Sequence, residues 1–447
     1  MSEPTPAVAT RPDETEVGSY FVANYPPFSV WTTDHLDSDA RPALASKPAN
    51  ADTPLGLYLH IPFCRKRCHF CYFRVYTDKN ASEVQAYLDV LGREWELYAQ
   101  QPAIVGRPLD FVYFGGGTPS FLSVRQLQGL VDRLTAVTPW SSAEEVTFEC
   151  EPGTLTEPKL AAIRAMGVTR LSLGVENFDD RILEVNGRAH RSPEIDRAYD
   201  FARSIDFPQI NIDLIAGMLG ETDDNWRACV ERTIQMDPDS VTIYQMELPY
   251  NTTISSDVLK GRGQFRETVA PWATKRRWVE EAFEMLETAG YTVGSAYTAV
   301  KDPSCTTFAY RDRLWQGADL VGLGVASFGH VNGVHMQNID SWEPYAAAIE
   351  QGRVPLHRAY RPTDDERLIR EFVLQLKLGS IRPAYFSNKY GVDVATRFQA
   401  PLSTLRADGL LATVTSERIA LTRSALLRVD SLLPRFFLDK HLDIRYT

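Results

Sequence analysis

Between residues 55 and 246, short runs rich in apolar and β-branched side chains alternate with longer stretches whose apolar positions recur every three or four residues. The runs 55–61, 110–114, 145–151, 170–176, 209–215 and 240–246 predict strands, and the stretches 81–100, 124–136, 157–166, 193–204 and 223–236 predict amphipathic helices. Such alternation places right-handed crossovers on a parallel sheet. Six units predict an α/β fold of the incomplete (β/α)6, TIM-like barrel type, with an open doubly wound sheet as the alternative. In both, ligands gather at the carboxyl ends of the strands.

Those ends are where polar residues break the apolar runs. The first run leads into a cysteine-rich loop, the second into Gly115-Gly116-Gly117-Thr118-Pro119 and the third into Glu149-Cys150-Glu151-Pro152. The fourth ends in Gly174-Val175-Glu176, the fifth carries Asp213, and the sixth runs into Tyr244-Gln245-Met246-Glu247. Buried polar groups are costly unless paired or used. Together these residues predict the wall of a cofactor pocket.

Four regions follow from the pattern: a tail with an aromatic arm (1–51), a barrel core (52–250), an extension beside the barrel (251–361) and a small C-terminal domain (362–447). The tail, 1–16, reads as disordered. Tyr20, Phe21, Tyr25, Phe28 and Trp31 read as an arm packed on the main domain. In the extension, the glycine-spaced stretch 322–330 lacks the βαβ setting and the ribose-binding acid of a dinucleotide site. The last region predicts three helices (364–378, 382–390, 393–408) and a small two-stranded wing (411–414, 418–421).

Charge narrows the picture. A net charge of −11 and a pI of about 5.3 argue against a nucleic-acid partner. The sequence carries neither an apolar run of bilayer-spanning length nor a secretory signal segment, so no membrane association and a cytoplasmic home are expected. Six cysteines in 447 residues are no disulfide framework. Cys150, Cys229 and Cys305 read as small buried hydrophobes.

The other three, Cys64, Cys68 and Cys71, lie within HIPFCRKRCHFCYF, residues 60–73. A tight loop with this spacing can aim three thiolates at one object. An iron–sulfur cluster suits it, and three ligands would leave one iron of a cubane open. A structural zinc needs four closed ligands, and His69, beside Cys68, is poorly placed as the fourth.

Cys-x3-Cys-x2-Cys with an aromatic residue before the last cysteine resembles the signature of radical S-adenosylmethionine (SAM) enzymes. The preceding Tyr58-Leu59-His60-Ile61-Pro62-Phe63 resembles the HemN-like branch. That branch contains oxygen-independent coproporphyrinogen III oxidases, haem chaperones, haem-degrading enzymes and class C radical SAM methyltransferases. The resemblance implies a 4Fe–4S cluster on Cys64, Cys68 and Cys71, with the open iron taking SAM's amino and carboxylate groups. It implies that Gly115, Gly116, Gly117 and Thr118 meet the methionine amino group, and that Glu149 contacts SAM. Arg188 would lie near the methionyl carboxylate, Asp213 on the ribose side and Tyr58 beside the cluster. Glu176 joins them as a pocket residue and, with Tyr58, as a catalytic candidate, while Phe63, Phe70, Tyr72 and Phe73 would shield the cluster. The implied chemistry is reductive cleavage of SAM to a 5′-deoxyadenosyl radical that abstracts hydrogen from a tetrapyrrole or other conjugated small molecule. A flavodoxin or ferredoxin-type electron donor and a monomeric state are expected with it.

Departures from the branch bear on the substrate. Phe73 stands where porphyrinogen oxidases place a further cysteine, and Glu176 where they have glutamine. The haem chaperones' HNxxYW motif is absent, residues 305–310 reading CTTFAY. Oxidative decarboxylation of a porphyrinogen is the leading expectation. Methyl transfer or cyclopropanation with two SAM molecules is the alternative, followed by a non-catalytic haem-binding or trafficking protein and, remotely, a zinc-stabilised winged-helix regulator. His330 and His335 are candidate proton donors.

Overall fold

The computed structural model describes residues 20–249, 252–255 and 269–442. The predicted tail and the start of the extension, 256–268, lie outside the described residues. Six strands, β1 (Leu55–Ile61), β2 (Phe111–Gly116), β3 (Glu145–Cys150), β4 (Arg170–Glu176), β5 (Gln209–Ala216) and β6 (Ser240–Gln245), pair in parallel and in sequence order. A doubly wound sheet reverses its strand order at a switch point. This one does not, so the incomplete-barrel reading stands and the alternative falls.

The helices between strands explain their own limits. Ala81–Ala99 begins at a capping box, with the Asn80 side chain accepting from the Ser82 and Glu83 amides. Asp223–Met236 starts at the Thr222 cap and stops where Asp237 turns left-handed at φ +58°. Their apolar faces bury Leu88, Leu91, Trp95, Trp226 and Val230 against the sheet. The strands are buried on both faces, as parallel strands under helices must be.

The extension departs from expectation. Predicted to pack beside the barrel, it continues the sheet at both edges. β8 (Thr298–Val300) adds antiparallel to β6, and β7 (Thr292–Val293) antiparallel to β8. β9 (Asp319–Leu323) pairs parallel with β1, and β10 (Phe328–Val331), β11 (Val334–Asn338) and β12 (Leu356–Tyr360) follow antiparallel. The result is a single twelve-stranded sheet. The glycine-spaced stretch serves close packing here, since a Cβ on Gly322 would lie 2.2 Å from the Phe328 carbonyl oxygen.

A buried carboxylate ties this added edge to the core. Glu94, fully buried, accepts from the Gly324 amide (2.8 Å), the Asn338 side-chain amide (2.6 Å) and the Tyr345 hydroxyl. Glu94→Leu keeps the bulk and leaves the Gly324 amide and the Tyr345 hydroxyl without this acceptor, Asn338 keeping the Gly322 and Gly324 carbonyls. It is expected to cost about 3 kcal/mol, read as a lower urea midpoint at unchanged slope.

The C-terminal region packs around its own cluster, with Phe372, Phe386, Phe398 and Phe436 at its centre. The predicted helix 393–408 breaks into Val394–Arg397 and Gln399–Ala407, and β13 (Ser380–Ile381), β14 (Leu411–Val414) and β15 (Ile419–Leu421) form the wing. The aromatic arm lies between the regions: Tyr25 stacks on Phe437, Trp31 on His335, and Phe28 packs on Phe328. Among the described residues no helix is long and apolar enough to cross a membrane.

Candidate active site

The carboxyl ends of β1 to β6 open on one cavity of about 560 Å³. Its lining includes Tyr58, Cys64, Cys68, Cys71, Gly116, Gly117, Thr118, Glu149, Glu176, Arg188 and Asp213. Gly115 is the remaining sequence candidate; it sits in β2 with its Cα beside the Tyr58 and Tyr113 rings.

The cysteine loop leaves β1 and is fastened along its length. Tyr76 N–H donates to the Pro62 carbonyl (2.7 Å), Cys64 N–H to Tyr76 (3.0 Å) and His69 N–H to Asn186 (3.0 Å). His69 Nδ1 sits 2.9 Å from the Val185 carbonyl, so that ring is occupied in anchoring. The glycine turn after β2 lies against the loop's root. Gly116 has φ +111°, and Cβ atoms on Gly116 and Gly117 would come within 2.6 Å of His60 Nδ1 and 2.9 Å of the Ile61 carbonyl. Only glycine permits both the conformation and the approach.

Two of the three sulfurs face aimed donors. The Thr118 hydroxyl donates to Cys64 Sγ at 3.3 Å and Arg188 Nη1 to Cys68 Sγ at 3.4 Å. Burial pushes the Cys64 thiol up to about 11 and raises that of Cys71. Buried thiols turned to one cavity with donors pointing at their sulfurs suit metal-bound thiolates. Among the described residues no three His, Cys, Asp or Glu side chains converge on one ion-sized point. Three thiols turned to one cavity suit a cluster, whose irons each take a single thiolate.

Three acidic side chains line the same cavity. Glu149 accepts from the Tyr113 hydroxyl (2.6 Å) and the Gly116 amide (3.2 Å). Asp213 accepts from Ser172 Oγ (2.9 Å) and Asn211 Nδ2 (2.8 Å). Glu176 holds φ +66° where the β4–β5 register slips, and lies 3.5 Å from Arg188 Nη2. A side chain at positive φ is strained, and such strain concentrates at functional sites. Burial raises all three acids, Glu149 and Glu176 to about 7, with Arg188 opposing the rise at Glu176. Tyr58, stacked on Tyr113 at 5.9 Å, closes the floor.

One cluster escaped the sequence reading. Glu151, two residues past Glu149, accepts from Arg65 (3.0 Å) and lies 3.1 Å from His190 Nδ1. The alternation of the acids around Cys150 was the available signal; nothing in the sequence brings in residues 65 and 190. Burial works to raise Glu151, but His190, Arg188 and Arg65 bring it down to about 2. Burial and Arg188 drive His190 itself below its ordinary value. Near neutrality His190 is therefore an uncharged partner, and the two arginines hold Glu151 ionised.

A folded-state value below the unfolded one gives stability present above the unfolded value, near 4.5, and lost as pH falls toward 2. Glu151→Gln is expected to cost about 2 kcal/mol at pH 7. The gap to the parent protein should narrow below pH ~4.5, measured by urea unfolding across pH. A gap independent of pH would mean the carboxylate's charge is not what stabilises.

Several expectations need correction. Phe63 does not shield the sulfurs; it packs into the core against Tyr87 and Phe121. Cys305 is exposed, unlike Cys150 and Cys229. His330 and His335 lie outside the cavity lining, buried with their Nδ1 atoms 2.9 Å apart, and burial drives both well below the ordinary histidine value. They brace β10 on β11 and are in no position to hand a proton to the cavity.

Residues 58–232 match the Radical SAM superfamily model. The chain is 28% identical to the haem chaperone HemW of Bacillus subtilis, over 79% of this chain and 92% of that one. It is 28% identical to the oxygen-independent coproporphyrinogen III oxidase of Pseudomonas aeruginosa, over 86% and 87%. The fold is that of the coproporphyrinogen III oxidase HemN from Escherichia coli, with a TM-score of 0.80 at 24% identity, covering 93% and 96% of the two chains.

Proposed function

We propose that this chain, a radical SAM enzyme of the HemN-like branch, oxidatively decarboxylates a propionate-bearing tetrapyrrole of the coproporphyrinogen type. The observation that carries the reading is the meeting of three motif sulfurs, a glycine turn and three carboxylates in one cavity. When bound, a 4Fe–4S cluster and SAM supply a 5′-deoxyadenosyl radical, the hard chemistry being the cofactors' own.

The protein's share is placement. Cys64, Cys68 and Cys71 would hold the cluster, with Thr118 and Arg188 donating to its thiolates. The Gly116–Gly117 backbone and Glu149 suit an ammonium group, Arg188 a carboxylate, and Asp213 with Glu176 the hydroxyls of a ribose. Tyr58 and Tyr113 keep water from the floor. An acidic flavodoxin or ferredoxin-type protein would deliver the electron, in the reducing cytoplasm, to a monomeric enzyme.

The test is anaerobic incubation of reconstituted protein with SAM, dithionite and coproporphyrinogen III. Carbon dioxide and 5′-deoxyadenosine released together are the expected result; 5′-deoxyadenosine without carbon dioxide would rule out this substrate. Phe73 and Glu176, which depart from the oxidase pattern, favour methyl transfer with two SAM molecules as the second reading. S-adenosylhomocysteine beside 5′-deoxyadenosine would decide for it. Haem trafficking is the third reading: the chain is similar to a haem chaperone, but residues 305–310 read CTTFAY where the chaperones carry HNxxYW.

A further inference from the structure

The acid at the end of β4 is held in a backbone conformation that side chains rarely adopt. Glu176 has φ +66°, and the Asn177 N–H donates to the Val175 carbonyl, two residues back, at 2.8 Å. An i→i+2 bond around a residue at positive φ makes a γ-turn of the rare, strained kind. β4 also carries one residue more than β5 here, Gly174 facing Asp213 and Glu176 facing Leu214. A bulge of this sort re-aims a side chain, and this one leaves Glu176 in the cavity lining. Glycine would take the turn without strain, whereas a glutamate keeps it only where its surroundings over-determine the backbone.

Asn177 supplies that constraint. It is fully buried and is not among the residues lining the cavity. Its Oδ1 accepts from the Asp179 amide (2.9 Å), and its Nδ2 donates to Glu221 Oε1 (2.8 Å) and Asn225 Oδ1 (3.0 Å). One acceptor and two donors are needed here, and among side chains a neutral amide offers that set. Glu221 in turn takes the Gly217 and Met218 amides, just past β5, on its other oxygen (2.6 and 3.2 Å), and Asn225 belongs to the helix Asp223–Met236. The turn is thus fastened to the next strand and the next helix. On its other side the Val175 carbonyl lies 3.2 Å from His190 Nε2.

We propose that Asn177 is a positioning residue: it locks the γ-turn that presents the Glu176 carboxylate to the ribose side of SAM. The inference rests on the reading above for the ribose, and on the turn itself for the lock. Without the lock, residue 176 relaxes toward negative φ, and its carboxylate leaves its place 3.5 Å from Arg188. Every residue lining the pocket would then be unchanged in kind, yet one of its acids would point elsewhere. Asn177 thereby acts on the cofactor without touching it.

The test is a double-mutant cycle on anaerobic reconstituted full-length protein, read as the SAM dissociation constant by equilibrium dialysis and as amide hydrogen exchange of residues 172–179. Asn177→Ala and Glu176→Gln are each expected to weaken SAM about tenfold, and the double variant no more than Glu176→Gln alone, since both remove the same contact. Exchange should quicken in Asn177→Ala and stay at the parent rate in Glu176→Gln. Asn225→Ala removes one of the two acceptors of Nδ2 and should act in the same direction, about threefold; it takes the place of Asn177→Ala in the cycle should that variant fail to fold. Losses that multiply in the double variant overturn the proposal, because they route the influence of Asn177 around Glu176. Exchange at the parent rate in Asn177→Ala overturns it as well, whatever SAM does. Faster exchange with SAM affinity unchanged in both single variants upholds the lock on the turn and removes the ribose from Glu176.

Discussion

Cys68→Ser is expected to give a folded protein that, after anaerobic reconstitution, lacks the brown iron–sulfur absorbance and releases no measurable 5′-deoxyadenosine. The loss should exceed about a thousandfold, because removing a ligand removes the site of the chemistry and not one contact to it. Cys68 makes the sharpest choice of the three. Its sulfur takes the Arg188 guanidinium at 3.4 Å, and its carbonyl takes the Cys71 amide at 3.2 Å. Serine preserves the backbone bond and loses the soft ligand. The remaining cysteines supply the control: Cys305→Ser changes an exposed side chain and should leave iron content and turnover unchanged. Equal iron incorporation by the Cys68 and Cys305 variants would remove the cluster from this loop.

Arg188→Met should have the next largest effect. The guanidinium is nearly buried and reaches the Gly174 carbonyl at 2.5 Å, Cys68 Sγ, and Glu176 at 3.5 Å. Its charge also helps hold Glu151 ionised. Deleting one partner of a buried charge network is costly because the others stay behind uncompensated, here about 3 kcal/mol of stability. SAM cleavage is expected to fall about a hundredfold or more, since a charge-assisted contact in a dry site is worth several kcal/mol. Arg188→Lys restores charge but not the fork, and should recover stability better than cleavage. A variant cleaving SAM at the parent rate would place the methionyl carboxylate elsewhere.

The six parallel strands were legible because each is rich in buried apolar and β-branched side chains, interrupted by polar residues toward the end that reaches the cavity. Local periodicity accounts for that much. It could not show that residues 319–323 pair with residues 55–59, because a strand's partner leaves no mark within its own run. The same limit applies to the site. Cys64, Cys68 and Cys71 are close in sequence and were found by spacing, and Glu149, Glu176 and Asp213 by interrupting strands at one end. Arg65, Glu151 and His190 come together only through the fold. Phe63 and Phe73 look alike in the sequence, yet one turns into the core and the other to the cavity mouth, a difference set by the bridge between Phe63 and Tyr76.

Strand β1 is held on both flanks, by β2 and by β9, in the interior of the twelve-stranded sheet. The cysteines therefore spring from a footing that owes nothing to iron. Many small metalloproteins unravel when demetallated because ligation supplies their folding energy. Here oxygen could strip the metal and leave the vessel intact, so that repair calls for iron and sulfide but not for a chaperone.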